Sequence, residues 1–234
     1  REDSRPWVFN GEAGLRVRIV PAANAWRGTA SITSAAGGIR NRPRARRDLA
    51  GYRDLQLDAT FDPQAIGISL GTVFNDDGRI DARISTGWDG YAPLAGEIKV
   101  STDELTWMEL FSPDIVAPTG RLDVDLRLGG TRAAPAIGGE GHLQGFASEL
   151  PALGIAARDG DLRLQAQADG NARIVGRVRS GDGVLDVDGS LGWQAQDTPL
   201  VLNLRGTNVL IAETRQLRAV ANPDVVVRYR AGEP

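Results

Sequence analysis

The sequence predicts an all-β chain: a long, curled, mostly antiparallel sheet, bent into a taco- or U-shaped trough with a hydrophobic interior. Three observations predict it. Apolar and charged residues alternate strictly over stretches of eight or more positions, as in Arg121-Leu122-Asp123-Val124-Asp125-Leu126-Arg127-Leu128. Gly-rich corners such as Gly129-Gly130, Asp159-Gly160 and Gly181-Asp182-Gly183 separate those stretches. Many residues on the apolar side are small, among them Ala59, Ala82, Ala166, Ala172, Gly176 and Gly189. Alternation at period two marks strands with one dry and one wet face. Small lining residues leave a thin apolar layer in place of the large interdigitating side chains of a stacked sandwich.

The elements follow in order. Leu15, Val17 and Ile19 alternate with Arg16 and Arg18 in a first strand that stops at Pro21. Thr29 to Thr33 is a second, shorter one. The run Arg40-Asn41-Arg42-Pro43-Arg44-Ala45-Arg46-Arg47 fits best an exposed loop or a charge-blunted edge strand, with a contact for anionic lipid headgroups as the sharper alternative. Leu55, Leu57, Ala59 and Phe61 form the next apolar set, followed by Ile66, Ile68, Leu70 and Phe74. The string Asn75-Asp76-Asp77-Gly78 signals a hairpin turn. Ile80, Ala82, Ile84 and Trp88 make the return strand, and Leu94, Ile98 and Val100 one more.

The alternation breaks once. Ser101 to Glu104 has the spacing of a capping box, and Leu105, Met108 and Phe111 recur at helical spacing before Ser112-Pro113. A single short helix is expected near 102–111, closing one end of the sheet. Strands resume with Leu122, Val124, Leu126 and Leu128, then Leu162 and Leu164, then Ile174 and Val178 with one slip of phase at Val175. Leu185, Val187 and Leu191 continue on odd positions, Leu202 and Leu204 follow, and Val209, Ile211, Val225 and Val227 complete the series. The count is about fourteen to sixteen strands, which at roughly 4.8 Å each make a trough some 70 Å long.

Composition narrows the function classes. The 234 residues carry a formal net charge of −3, which disfavours nucleic acid as a partner. All 27 basic residues are Arg except Lys99, and there is no cysteine, so disulfides and thiolate-held metals are excluded. No apolar run reaches the ~20 residues of a membrane-spanning helix, and Arg1 to Pro6 does not open a signal peptide. The chain begins and ends within strand patterning, so it reads as one elongated segment, 1–234, of a longer protein. His142 is the sole histidine; neither a nucleophile elbow nor a phosphate loop is present. The carboxylate pairs Asp123/Asp125 and Asp186/Asp188 occupy wet-face positions opposite arginines, which fits cross-strand pairing. No enzymatic activity, metal or cofactor is expected. A membrane barrel also alternates, but eight Trp and Tyr scattered over the chain make no aromatic girdles.

Specific strings add a resemblance. Gly87-Trp88, Leu94-Ala95-Gly96 and Leu105-Thr106-Trp107-Met108-Glu109-Leu110-Phe111-Ser112-Pro113-Asp114 resemble the short helix and its approaches in the C-terminal half of TamB proteins. Gly120 to Thr131 with Ala134-Pro135, Leu150 to Ile155, Ser180-Gly181-Asp182-Gly183, and Leu204 to Asn208 with Ala212-Glu213-Thr214 and Asn222-Pro223-Asp224 are similar to later blocks of that family. The resemblance covers about Trp88 to Arg228. It implies a periplasmic piece of a protein anchored in the inner membrane by a segment absent from this chain. It further implies an apolar groove that carries phospholipid acyl chains between inner and outer membranes, and a TamA-like outer-membrane barrel as partner. A second reading is a scaffold that assists nascent outer-membrane proteins and autotransporters by β-augmentation.

The residues expected to line the groove are Leu55, Leu57, Phe61, Ile66, Ile68, Leu70, Ile80, Ile84, Ile98, Val100, Leu122, Val124, Leu126, Leu128, Leu162, Leu164, Ile174, Val178, Leu185, Val187, Leu191, Leu202 and Leu204.

Overall fold

A computed structural model describes residues 8–22, 25–40, 50–110, 115–151, 155–167, 169–192 and 200–229. Strands β1 (Val8–Gly11), β2 (Gly14–Ala22) and β3 (Ala25–Arg40) open the chain, and β4 (Ala50–Phe61), β5 (Ile66–Phe74), β6 (Gly78–Thr86) and β7 (Ala95–Glu104) follow. A five-residue 3-10 helix, Thr106–Leu110, precedes β8 (Val116–Gly130), β9 (Pro135–Leu150) and β10 (Ile155–Ala166). Then come β11 (Asn171–Ser180), β12 (Gly183–Gly192), β13 (Leu200–Thr207), β14 (Val209–Glu213), β15 (Arg218–Ala221) and β16 (Asp224–Tyr229).

Fourteen of these form one antiparallel sheet in the order β1-β3-β4-β5-β6-β7-β8-β9-β10-β11-β12-β13-β16, with β2 also on β3. The ends of that order do not pair with each other, so the sheet is not a barrel. Connections are local: every strand from β3 to β12 pairs with its successor, as short turns between alternating stretches require. The β5–β6 turn shows why. Asn75 takes a positive φ of 51°, its Oδ1 accepts from the Gly51 amide at 2.7 Å, and its own amide donates to the Gly51 carbonyl at 2.7 Å.

The chain exposes 15468 Å², against about 10,000 Å² for a compact chain of its mass. The excess is what an uncovered single sheet produces. Strand-to-strand neighbours are overwhelmingly hydrogen-bonded partners. Curvature comes from register shifts. They lie at Arg53/Gln56, Thr102/Glu104, Thr119/Arg121 and Arg158/Asp161, all in the half of the sheet nearest the β5–β6 turn. Asp54 and Asp159, both at positive φ, supply the extra residues of two of them. Bulges bend a strand and raise its twist, so the sheet is curled along that side.

The helix corrects one expectation. It covers Thr106–Leu110 and is 3-10, whereas Ser101 and Thr102 belong to β7, opposite Asp123 and Leu122 of β8. Ladder pairing outcompetes the capping box there. The Glu104 carboxylate instead accepts from the Thr106 amide at 3.2 Å, and the helix starts four residues later than expected. Phe111 lies outside the described residues, as does the charge run from Asn41 to Arg47.

Candidate functional site

Register decides which side chains share a face, because directly opposed residues project to the same side. One row of opposed positions runs Leu15, Ile32, Leu57, Leu70, Ala82, Ile98, Leu126, Gly139, Ala166, Ala172, Leu191 and Leu200. A second runs Ile80, Val100, Val124, Gly141, Leu164, Ile174, Gly189, Leu202 and Val227. A third runs Leu122, Leu143, Leu162, Gly176, Val187, Leu204 and Val225. Phe61 opposes Ile66, Ile68 opposes Ile84, Gly96 joins Ile84 to Leu128, and Val178 opposes Leu185. Leu55 alternates with Leu57 on β4. Every residue expected to line a groove therefore lies on one continuous face.

That face is the inner one of the curl. On β6 the apolar-side residues Ile80, Ala82 and Ile84 are half-buried while Arg79, Asp81 and Arg83 between them are exposed. On β2, with no strand beyond it among the described residues, Leu15 on the same face is 70% exposed. Glycines mark where the curl is tightest. A Cβ on Gly176 would strike the Asp161 carbonyl and come within 2.7 Å of Leu162 Cα; one on Gly189 would strike the Val201 carbonyl. The neighbouring strand leans over these positions on the apolar side, and only glycine fits beneath it.

The two rims of the trough differ. At the bulged rim the chain folds over the apolar face twice. Leu105, before the 3-10 helix, is fully buried, and Phe74 meets Trp107 edge-on with ring centroids 6.4 Å apart. Further along, the β14–β15 hairpin buries Val209 and Leu210, and Ser180 Oγ donates to the Leu210 carbonyl at 2.7 Å. At the opposite rim the described residues form only turns. The connections 87–94 and 131–134 are joined by Arg132 N to Ala92 O and Ala133 N to Gly90 O. Trp88 Nε1 ties them to the β4–β5 turn by donating to Asp62 O at 2.6 Å. In that turn the Gln64 and Ala65 amides hold the Asp62 carboxyl below its ordinary pKa.

The opposite face carries charge in compensating pairs: Arg83–Glu97 at 3.0 Å, Arg173–Asp188 at 3.1 Å, Arg177–Asp186 at 3.7 Å and Arg205–Asp224 at 3.2 Å. Such exposed pairs are worth about 0–1 kcal/mol each. An open depression of about 1070 Å³ lies on this side, lined by Asp81, Lys99, Asp123, Glu140, His142 and Arg163 among others. His142 Nε2 sits 3.1 Å from both Asp161 oxygens. Arg121, by hydrogen bonding, together with Ser101 and the His142 charge, holds Asp123 below its ordinary pKa. Val175, where the alternation slips, is on this charged face opposite Arg163 and Asp188.

The sequence pattern does not single out several members of the apolar face. Leu143 and Ile137 on β9 are hidden among glycines, although Gly139, Gly141 and Leu143 alternate with Glu140, His142 and Gln144. Ile32 joins the face only through register. Among the described residues no group of three acidic, His or Cys side chains is placed to hold a metal, and no helix is long and apolar enough to cross a membrane. Comparisons with protein-family models, curated proteins and solved structures find no match, so the likeness to TamB rests on the strings quoted above.

Proposed function

We propose that the inner face is a trough that conducts phospholipids, acyl chains against the apolar rows, as part of a periplasmic bridge between inner and outer membranes. A TamA-type outer-membrane barrel is the partner this reading carries with it. The observation that supports it best is the unbroken apolar face of a curled sheet with no second layer over it among the described residues. A packed core would place large side chains from a facing sheet about 10 Å away. Here most apolar residues of the inner strands stay half-buried, Ala166, Ala172 and Val187 being the buried ones, which leaves surface that an extended hydrocarbon chain covers at about 25 cal/mol per Å².

Two neighbouring positions test this. A photo-crosslinker at Leu164, on the inner face, captures phospholipid, and one at Arg163, on the outer, does not; equal capture would refute the trough. Leu164→Arg stops lipid transfer while circular dichroism shows the sheet intact, because a buried cation interrupts the apolar path. Native mass spectrometry of the purified chain detects co-purified phospholipid.

A second reading is supported by β16. It pairs with β13 on one side, no described strand lies on its other side, and Val225, Val226 and Val227 are exposed. Such an edge accepts a further strand, which suits a scaffold for nascent outer-membrane proteins.

A further inference from the structure

We infer that phospholipid headgroups leave the trough over one rim only, the one built from turns 62–65, 87–94 and 131–134, and that Arg132 there meets the lipid phosphate. This rests on the trough reading and adds to it a direction across the sheet and a headgroup site.

The bulged rim is closed to headgroups at two places by apolar lids, the Leu105 segment and the β14–β15 hairpin. The turn rim has no such cover among the described residues. It carries the side chains that suit a boundary between hydrocarbon and water. Trp26 packs on Phe61 with centroids 5.9 Å apart and on Trp88 at 6.3 Å, yet Trp88 remains 48% exposed and Tyr91 86% exposed. Phe61 belongs to the inner face, so this cluster runs from the apolar rows out to solvent. Trp and Tyr favour such positions because an apolar ring and a polar edge are satisfied together.

Arg132 supplies the charge. Its Nη1 donates to the Trp88 carbonyl at 2.7 Å, which fixes the guanidinium beside the aromatic cluster. Among the described residues no carboxylate pairs with it, unlike Arg83, Arg173 and Arg205 of the outer face. Most of its five N–H donors therefore remain for an anionic oxygen, and a phosphodiester matches their planar fork. A free phosphate offers the same oxygens but no chain for the adjoining apolar face.

Two photoactivatable phospholipids test the inference on the purified chain, one with a diazirine in the headgroup and one with it at an acyl terminus. Headgroup adducts are expected at Trp26, Trp88, Tyr91 and Arg132, and acyl adducts on the inner rows. Acyl adducts on the inner rows with headgroup adducts shared equally with the lidded rim, at Asp76 or Asp182, would overturn this inference and leave the trough standing. Absence of acyl adducts from the inner rows would overturn both. Arg132→Gln is expected to lower retention of anionic phospholipid about tenfold, the loss of one charge-assisted contact, with Arg132→Lys restoring part of it. Unchanged retention in Arg132→Gln would remove Arg132 from the site, as would equal competition by inorganic phosphate.

Discussion

Gly176 and Gly129 separate a glycine required by close approach from one that is not. Gly176→Ala pushes a methyl group into the Asp161 carbonyl and Leu162 Cα, and overpacking of that kind costs about 1–3 kcal/mol. Gly129→Ala has open space within 4 Å, so it is expected to be neutral within about 0.5 kcal/mol. Paired chemical-denaturation curves check the contrast, and equal midpoints would mean the sheet is flatter than described. The same scale holds the acid response. Arg121 hydrogen bonding keeps Asp123 below its ordinary pKa, so the folded carboxyl releases its proton more readily than the unfolded one. The stabilisation is complete above the unfolded value near 4 and fades as pH falls toward the folded one. Thermal melts of Asp123→Asn are expected to lose less between pH 5 and 3 than those of the unsubstituted chain.

The lids are the elements where local pattern and tertiary structure diverge. Leu105, Met108 and Phe111 carry a helical period, yet β7 extends through Glu104 because Thr102 is held in register with Leu122 and buried. Five residues of 3-10 helix remain, too few to stand alone, so their stability comes from docking. Leu105→Ala is expected to cost about 3 kcal/mol, as for other large-to-small changes at buried leucines. Hydrogen exchange would place the loss: protection should fall first at the 3-10 helix and β7, and uniform loss across the sheet would show that the lid is not a separate unit. The strand β9 is the opposite case. Its glycines weaken the apolar signal, and only its pairing with β8 and β10 shows that Leu143 completes a row.

At the scale of the whole molecule, the sheet edge and the sheet face offer separable tests. Val226 points to the charged side opposite Asn203, so Val226→Lys blunts the β16 edge without touching the inner rows. A strand-forming peptide is expected to bind the variant more weakly while phospholipid capture at Leu164 is unchanged; parallel loss of both would tie the two surfaces together. The all-β class, the local connectivity, the β5–β6 turn and much of the membership of the inner face, though not Leu143 or Ile137, are legible in residues such as Leu122 to Leu128, because period-two alternation and Gly or Asn corners are local properties. Which way the sheet bends is not legible there. Alternation states only that one face of each strand is dry, and a sandwich and a trough satisfy it equally. The bend depends on where Asp54 and Asp159 insert bulges, on which glycines lie under a neighbouring strand, and on how the 3-10 helix and the β14–β15 hairpin close one rim and leave Trp88 and Arg132 exposed on the other. Those are relations between residues far apart in sequence, fixed by register, and the tertiary structure alone decided them.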